Sequence, residues 1–106
     1  MATTEDPRDP GLQRVDPLSK LQEKHLVLSE AERKAGYARP VFREYVHETC
    51  RAVTTIAWPI AQTYAARPDF YTSTYCANCR DYFPVGPNGE FIWLDRGTAT
   101  GLKVGT

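Results

Sequence analysis

His47-Glu-Thr-Cys50 and Cys76-Ala-Asn-Cys79 are the two stretches on which the fold turns. Between them they hold all three cysteines and one of the two histidines. Zinc takes soft thiolates and imidazole in a tetrahedral set, and two ligand pairs of equal spacing supply one Cys3His set. Cys76-x-x-Cys79 has the spacing of a zinc knuckle, a tight turn that points both sulfurs at one ion, and His47-x-x-Cys50 would supply the other half from the end of a strand. The candidate ligands are therefore His47, Cys50, Cys76 and Cys79. Two other readings stay open: incidental cysteines beside an unrelated histidine, and a redox Cys-x-x-Cys. The first does not explain why every cysteine falls into the paired spacing. The second needs the motif to open a helix after a strand, and here Arg80-Asp-Tyr-Phe-Pro84 follows, strand-like and then broken.

Size explains what such an ion would be for. At 106 residues the chain is one domain, near the small end of what buries an adequate core unaided. Zinc binding in finger peptides is worth about 10–16 kcal/mol, comparable with the stability of a whole domain. Four protein ligands also close the coordination sphere, which marks a structural site and leaves no position for water or substrate. Thirteen basic and thirteen acidic residues give zero formal net charge. That balance argues against broad nucleic-acid binding by phosphate neutralisation, while a local basic patch stays open. No run approaches the ~18 apolar residues of a membrane span. The start, Met1-Ala-Thr-Thr-Glu-Asp-Pro-Arg-Asp-Pro10, lacks the basic residues and apolar stretch of a signal peptide. A cytoplasmic, reducing setting is expected, where paired cysteines are more often metal ligands than disulfides.

Outward from the two pairs, the pattern predicts an α+β domain over residues 16–106, preceded by a flexible N-terminal arm over 1–15. The arm is polar and carries Pro7, Pro10 and Gly11 with no apolar period. Asp16-Pro17 reads as a helix start, with Leu18, Leu21 and His25 on one face. His25 is the alternative histidine for a metal, but no cysteine stands near it, and it reads better as a half-exposed helix residue. Ser29-Glu-Ala-Glu32 matches a capping box and opens a short helix that Gly36 can end.

Val41 to His47 alternates as a strand and delivers His47 at its end. Thr54 or Thr55 could cap the main helix, which runs to about Ala66 and buries Ile56, Ala57, Ile60, Ala61 and Tyr64. Pro59 fits only in its first turn. Trp58 falls on the opposite face, either tucked under the N-terminal segment, the favoured placement, or exposed for a partner. Thr72 to Tyr75 leads into the second cysteine pair. Tyr82–Val85 and Glu90–Leu94 flank Gly86-Pro-Asn-Gly89, which predicts a hairpin, and a second turn through Asp95-Arg-Gly97 leads to a strand around Leu102–Val104. The expected fold is a small antiparallel sheet with one main packed helix and a zinc-ribbon-like site.

Catalytic motifs find little support. A zinc deaminase combines His-x-Glu with Pro-Cys-x-x-Cys, but Glu48 follows His47 directly, Tyr75 precedes Cys76, and Cys50 would close the open position. No His-Glu-x-x-His, Walker loop or Gly-x-Ser-x-Gly occurs. Nucleic-acid binding has a stronger basis: Phe70, Tyr71, Tyr75, Tyr82, Phe83 and Trp93 lie among Arg67, Arg80 and Arg96, and aromatics with arginines make stacking platforms. Asp69, Asp81, Glu90 and Asp95 dilute that stretch.

Residues 39–106 resemble small uncharacterised zinc-ribbon-like proteins of phages and prophages. The resemblance rests on His47-x-x-Cys50, Thr63-Tyr-Ala-Ala-Arg-Pro-Asp-Phe-Tyr71, Cys76-x-x-Cys79, Phe83-Pro-Val85 and Gly89-Glu-Phe-Ile-Trp93. It implies a fold and a metal rather than an activity. Small phage accessory proteins commonly act by binding, as virion components or as inhibitors of host systems such as defence complexes. The resulting expectation is a non-enzymatic, zinc-binding interaction module whose partner is another protein, with a nucleic-acid-binding ribbon as the alternative. One departure stands out: many knuckles place glycine after the second cysteine, and here Arg80 stands there.

Overall fold

Two hairpins, each turning through one of the paired motifs, set the architecture. In the computed structural model, which describes residues 1–106, strand β3 (Glu44–His47) pairs antiparallel with β4 (Val53–Thr55). Strand β5 (Ser73–Cys76) pairs likewise with β6 (Asp81–Pro84). Strands β7 (Phe91–Asp95) and β8 (Thr98–Lys103) extend the first hairpin into a four-stranded sheet of order β4-β3-β7-β8. The β5–β6 ribbon stays separate. The protein is thus α+β, with small antiparallel sheets and one main helix.

Alternation works in β3 as the sequence predicts. Tyr45 and His47 are buried and Glu44 and Val46 only half-buried, because successive side chains leave opposite faces of a strand. Val41–Arg43 lie outside the strand. In register, Tyr45 stands opposite Trp93 and His47 opposite Phe91. Tyr45 meets the edges of both rings, with centroids 4.9 Å from Phe91 and 5.8 Å from Trp93. The main helix α2 (Trp58–Ala66) covers this face with Ile60, Ala61 and Tyr64. It begins later than the sequence suggests. Thr54 and Thr55 belong to β4, Ala57 is the N-cap, and Pro59 falls in the first turn, where it breaks no hydrogen bond. The short helix α1 (Glu30–Lys34) has the predicted Ser29–Glu32 capping box, and Gly36 follows at φ 144°.

Several further expectations are corrected. Tyr82–Val85 and Glu90–Leu94 do contain strands, but they do not pair with each other. Strand β6 is taken by β5 and β7 by β3, so Gly86–Gly89 is a corner between sheets rather than a hairpin turn. The chain folds tightly there: a Cβ on Gly89 would lie 2.7 Å from the Val85 backbone. No helix starts at Asp16-Pro17. Asp16 Oδ1 accepts from the Leu18 and Ser19 amides in a turn, and His25 sits in strand β2 (Lys24–Leu26), buried instead of half-exposed on a helix. The helical spacing of Leu18, Leu21 and His25 thus has no structural counterpart, and Leu18 is 84% exposed. Finally, Trp58 is not tucked away. It is 48% exposed, with the Arg43 guanidinium 5.4 Å above its ring.

Residues 1–15 are laid along the domain, which differs from the free arm expected. Strand β1 (Ala2–Thr4) pairs parallel with β2, and a 3-10 turn over Pro10–Gln13 is capped by Asp9. Lys24 reaches back to Asp9 at 3.0 Å. No helix is long and apolar enough to cross a membrane.

Candidate metal centre

The two turns have the same backbone. Arg51 N donates to His47 O at 2.7 Å, and Arg80 N donates to Cys76 O at 2.8 Å. Each arginine takes a left-handed conformation, with φ 65° at Arg51 and 55° at Arg80. L-residues avoid that region because Cβ crowds the following carbonyl, so glycine is the usual occupant. The missing glycine after Cys79 is therefore absorbed by Arg80 itself. Arg51 plays the same part after Cys50, which the sequence reading did not anticipate.

These turns bring all four predicted residues together. One ligand atom each from His47, Cys50, Cys76 and Cys79 lies within 4.8 Å of the others. Cys50 Sγ is 3.6 Å from Cys76 Sγ, and Cys79 Sγ is 3.5 Å from His47 Nδ1. Cys79 N also donates to Cys76 Sγ at 3.4 Å, as an amide does inside a knuckle. A second tie joins the turns: Ala77 N donates to Thr54 Oγ1 at 3.1 Å. The arrangement could hold a metal ion. His25, the other histidine, lies elsewhere, against Tyr82.

The support around His47 is what motif reading missed. It is 1% exposed, and its ring packs against two phenylalanines, with centroids 4.5 Å from Phe83 and 4.7 Å from Phe91. Its Nε2 meets Glu90 Oε1 at 2.9 Å, and Thr49 Oγ1 donates to the same oxygen at 3.3 Å. With Nε2 tied to a carboxylate, Nδ1 is left facing the sulfurs, the usual way a second ligand layer fixes a metal-binding imidazole. Glu90 sits just after the Gly86–Gly89 corner, opposite the His47 turn: Glu48 N donates to Glu90 O at 2.9 Å. Only the register of β7 on β3 places it there, and no spacing rule in the sequence points to it.

Charge is distributed unevenly over the cluster. Burial raises the Cys50 thiol, but the Ala52 amide and the neighbouring His47 and thiols outweigh it and lower it to about 6. Burial and hydrogen bonding to Cys50 and Cys76 push the Cys79 thiol up to about 12. Burial pulls His47 down, yet the Glu90 carboxylate and Cys50 leave it above its ordinary value. Sulfurs this close cannot all ionise without a cation among them. Metal binding is what would release the remaining thiol protons.

No family model matches this chain, and neither a curated protein nor a solved structure matches it.

Proposed function

We propose that His47, Cys50, Cys76 and Cys79 bind one structural zinc ion and that the protein is a non-enzymatic module acting by binding another protein. The observation that carries the metal is the shape of the cluster. Zn–S bonds of ~2.3 Å and Zn–N bonds of ~2.0 Å at tetrahedral angles put S···S edges near ~3.8 Å and S···N edges near ~3.5 Å. Two of the six edges here are 3.6 and 3.5 Å, and all four atoms lie within 4.8 Å of one another. Three thiolates and an imidazole select zinc over the hard cations, which prefer oxygen. Four protein ligands leave no site for a metal-bound water, so no catalysis occurs at the ion.

Partner binding rests on the exposed face beside β4. Trp58 and Val53 stand half out of the surface, with Arg43 over the indole. Tryptophan and arginine are the residue types that most often dominate interface energy. The nucleic-acid alternative loses its stacking platform, since Phe70, Tyr71, Tyr75, Tyr82, Phe83 and Trp93 are all buried or half-buried. The resemblance to phage zinc-ribbon-like proteins adds a setting: an accessory protein in the host cytoplasm or the virion, either a virion component or an inhibitor of a host system.

Metal analysis of the purified protein tests the ion. One zinc per chain, lost in Cys76→Ser together with the thermal transition, is expected. A metal-free protein that melts identically with and without chelator would sink the reading. For the partner, full-length protein and a Trp58→Ala variant are passed through host lysate and the retained proteins identified. A partner held by the first and released about 30-fold more readily by the second fits an interface centre worth ~2 kcal/mol. Retention of nucleic acid instead, weakening steeply with salt, would transfer the function to the alternative.

A further inference from the structure

Strand β4 is one outer edge of the four-stranded sheet. Its register on β3 decides which of its backbone groups are used. His47 N donates to Ala52 O and Ile56 N donates to Arg43 O, so Ala52, Thr54 and Ile56 turn their backbone groups towards β3. Antiparallel pairing alternates, and Val53 and Thr55 therefore turn their N–H and C=O groups outward. None of these four groups has a partner in the protein. Both residues are exposed, Val53 by 50%, which leaves the edge open to another strand.

The opposite edge, β8, is built differently. It carries a register shift between Ile92 and Leu94 and has Gly101 at φ 79°, irregularities of the kind that keep an edge from pairing further. Strand β4 pairs regularly, and Val53-Thr-Thr55 holds no proline and no charge. It is also fixed in place from its buried face, where Thr54 Oγ1 accepts from Ala77 N at 3.1 Å. A template ordered before binding lowers the entropic cost of binding.

The charges beside this edge are uneven. Arg51 precedes β4. Arg43 stands at the far end, where its Nη2 donates to Ile56 O at 3.3 Å and its guanidinium lies over Trp58. Neither arginine makes a salt bridge. Of the carboxylates on β3 and its turn, Glu48 is paired with Lys103 and Glu44 accepts from Thr55 Oγ1 at 3.5 Å. The two arginines are left in excess.

We propose that an extended acidic segment of the partner protein adds to β4 as a fifth strand, its backbone bonded to Val53 and Thr55 and its carboxylates beside Arg43 and Arg51. The proposal rests on the reading of this face as a partner surface. Alternating donors and acceptors match a peptide backbone, the basis of recognition by strand addition, whereas a nucleic-acid backbone supplies acceptors alone. A second copy pairing through β4 about a two-fold axis would bring Arg51 of each chain towards Arg43 of the other, and like charges across an interface oppose it.

Three blocked pentapeptides test the claim: Ac-Glu-Val-Thr-Val-Glu-NH2, its glutamine counterpart and its lysine counterpart. Each is titrated into the full chain, with backbone amides followed by NMR and hydrogen exchange. The acidic peptide is expected to give saturable shifts centred on Val53 and Thr55 and to slow exchange of those two amides. It should bind about 3- to 10-fold tighter than the glutamine peptide, the worth of two exposed ion pairs, with the lysine peptide weakest. Val53→Pro and Thr55→Pro each remove an outward N–H and no bond to β3, a place where a sheet edge tolerates proline. Each should lower affinity for the acidic peptide about 10-fold. Arg43→Gln leaves every residue of β4 in place and should bring the acidic peptide towards the glutamine peptide without changing the latter. The proposal is overturned if the acidic peptide gives no saturable shift at β4, if the lysine peptide binds as tightly, or if both proline variants bind like the parent. A protein that sediments as a dimer, and as a monomer once Thr55→Pro is introduced, would give the edge to a second copy and overturn it too. A lysate partner released by Trp58→Ala yet held equally by Thr55→Pro would overturn strand addition and leave the partner reading standing.

Discussion

The His47–Cys50 turn and the Cys76–Cys79 turn close the same backbone hydrogen bond and end on an arginine in the same left-handed conformation. Their surroundings differ. The first stands on a four-stranded sheet, with its histidine packed against Phe83 and Phe91 and tied to Glu90. The second stands on a two-stranded ribbon, and Cys79 is exposed. An isolated two-stranded ribbon is marginal in water. The ribbon is held by the clustered residues at one end, by the N-terminal segment against Tyr75 and Tyr82, and by Tyr45 Oη and Thr54 Oγ1 of the larger sheet, which bond Thr74, the Tyr75 carbonyl and the Ala77 amide. A shared metal would therefore stabilise the two turns very unequally.

Removing the ion is the largest way to expose that inequality. Cys79→Ser forfeits binding energy on the order of 10 kcal/mol, as much as a small domain has to lose. At temperatures where the variant is still partly folded, amides of β5 and β6 are expected to lose hydrogen-exchange protection before those of β3 and β7. Uniform loss of protection across both hairpins would break the comparison. It would mean that the four-stranded sheet depends on the metal as much as the ribbon does.

The next effect lies on the strong side alone. Glu90→Ala leaves His47 Nε2 without its carboxylate, and loss of such a partner typically costs 10- to 100-fold in metal affinity. Glu90→Gln keeps an acceptor for Nε2 and is expected to lose less. Competition against a chromophoric chelator measures both. Equal losses in the two variants would show that the carboxylate acts by its charge rather than by fixing the ring.

How much of this the sequence disclosed follows from the range of the forces involved. The four clustered residues were legible because a knuckle-like turn is a local object, and its spacing is visible in four consecutive residues. The capping box at Ser29 and the alternation at Tyr45 and His47 are local for the same reason. What misled was the competition between local signals and distant partners. Gly86-Pro-Asn-Gly89 has every mark of a hairpin turn, yet β6 and β7 find better partners in β5 and β3. Asp16-Pro17 could cap a helix, but the segment after it contributes more as β2, where His25 meets Tyr82 from 57 positions away. Glu90 was invisible for this reason: nothing within ten residues of His47 announces it.

A smaller effect concerns the brace on the ribbon. Tyr82 Oη accepts from Gln22 N, so its own proton can go to His25 Nε2, which leaves Nδ1–H for the Ala2 carbonyl at 3.4 Å. That arrangement needs a neutral imidazole. Burial lowers the His25 pKa from its usual value of 6.5, the Ala2 contact opposes this weakly, and the amino terminus adds to it. Because the folded value is depressed, the unfolded chain takes the proton first. The stability contributed by neutral His25 is whole above pH 6.5 and drains as pH falls from there towards the lower folded value. Exchange at residues 2–4 and 24–26 should accelerate over that window, and His25→Gln should flatten the dependence. A brace that holds equally at pH 7 and pH 5 would remove the histidine from it.

The smallest predicted effect returns to the two arginines. Neither Arg51 nor Arg80 makes a salt bridge, so each can be replaced without breaking an ion pair. A left-handed L-residue costs about 1–2 kcal/mol, while glycine restores roughly 0.5–1 kcal/mol of that as unfolded-state entropy. Arg51→Gly and Arg80→Gly should therefore each stabilise the protein by about 0.5–1 kcal/mol, a rise of a few degrees in Tm. The turns share no strained residue, so the double variant should give close to the sum. Metal affinity supplies the decisive second reading. If Arg80 serves only as a residue in the left-handed position, Arg80→Gly leaves affinity unchanged or improves it. If its guanidinium offsets the charge of three thiolates beside it, affinity falls although the backbone has been relieved. Equal gains at both positions would mean that the turns are equivalent in backbone cost. Their inequality would then come entirely from what each turn stands on.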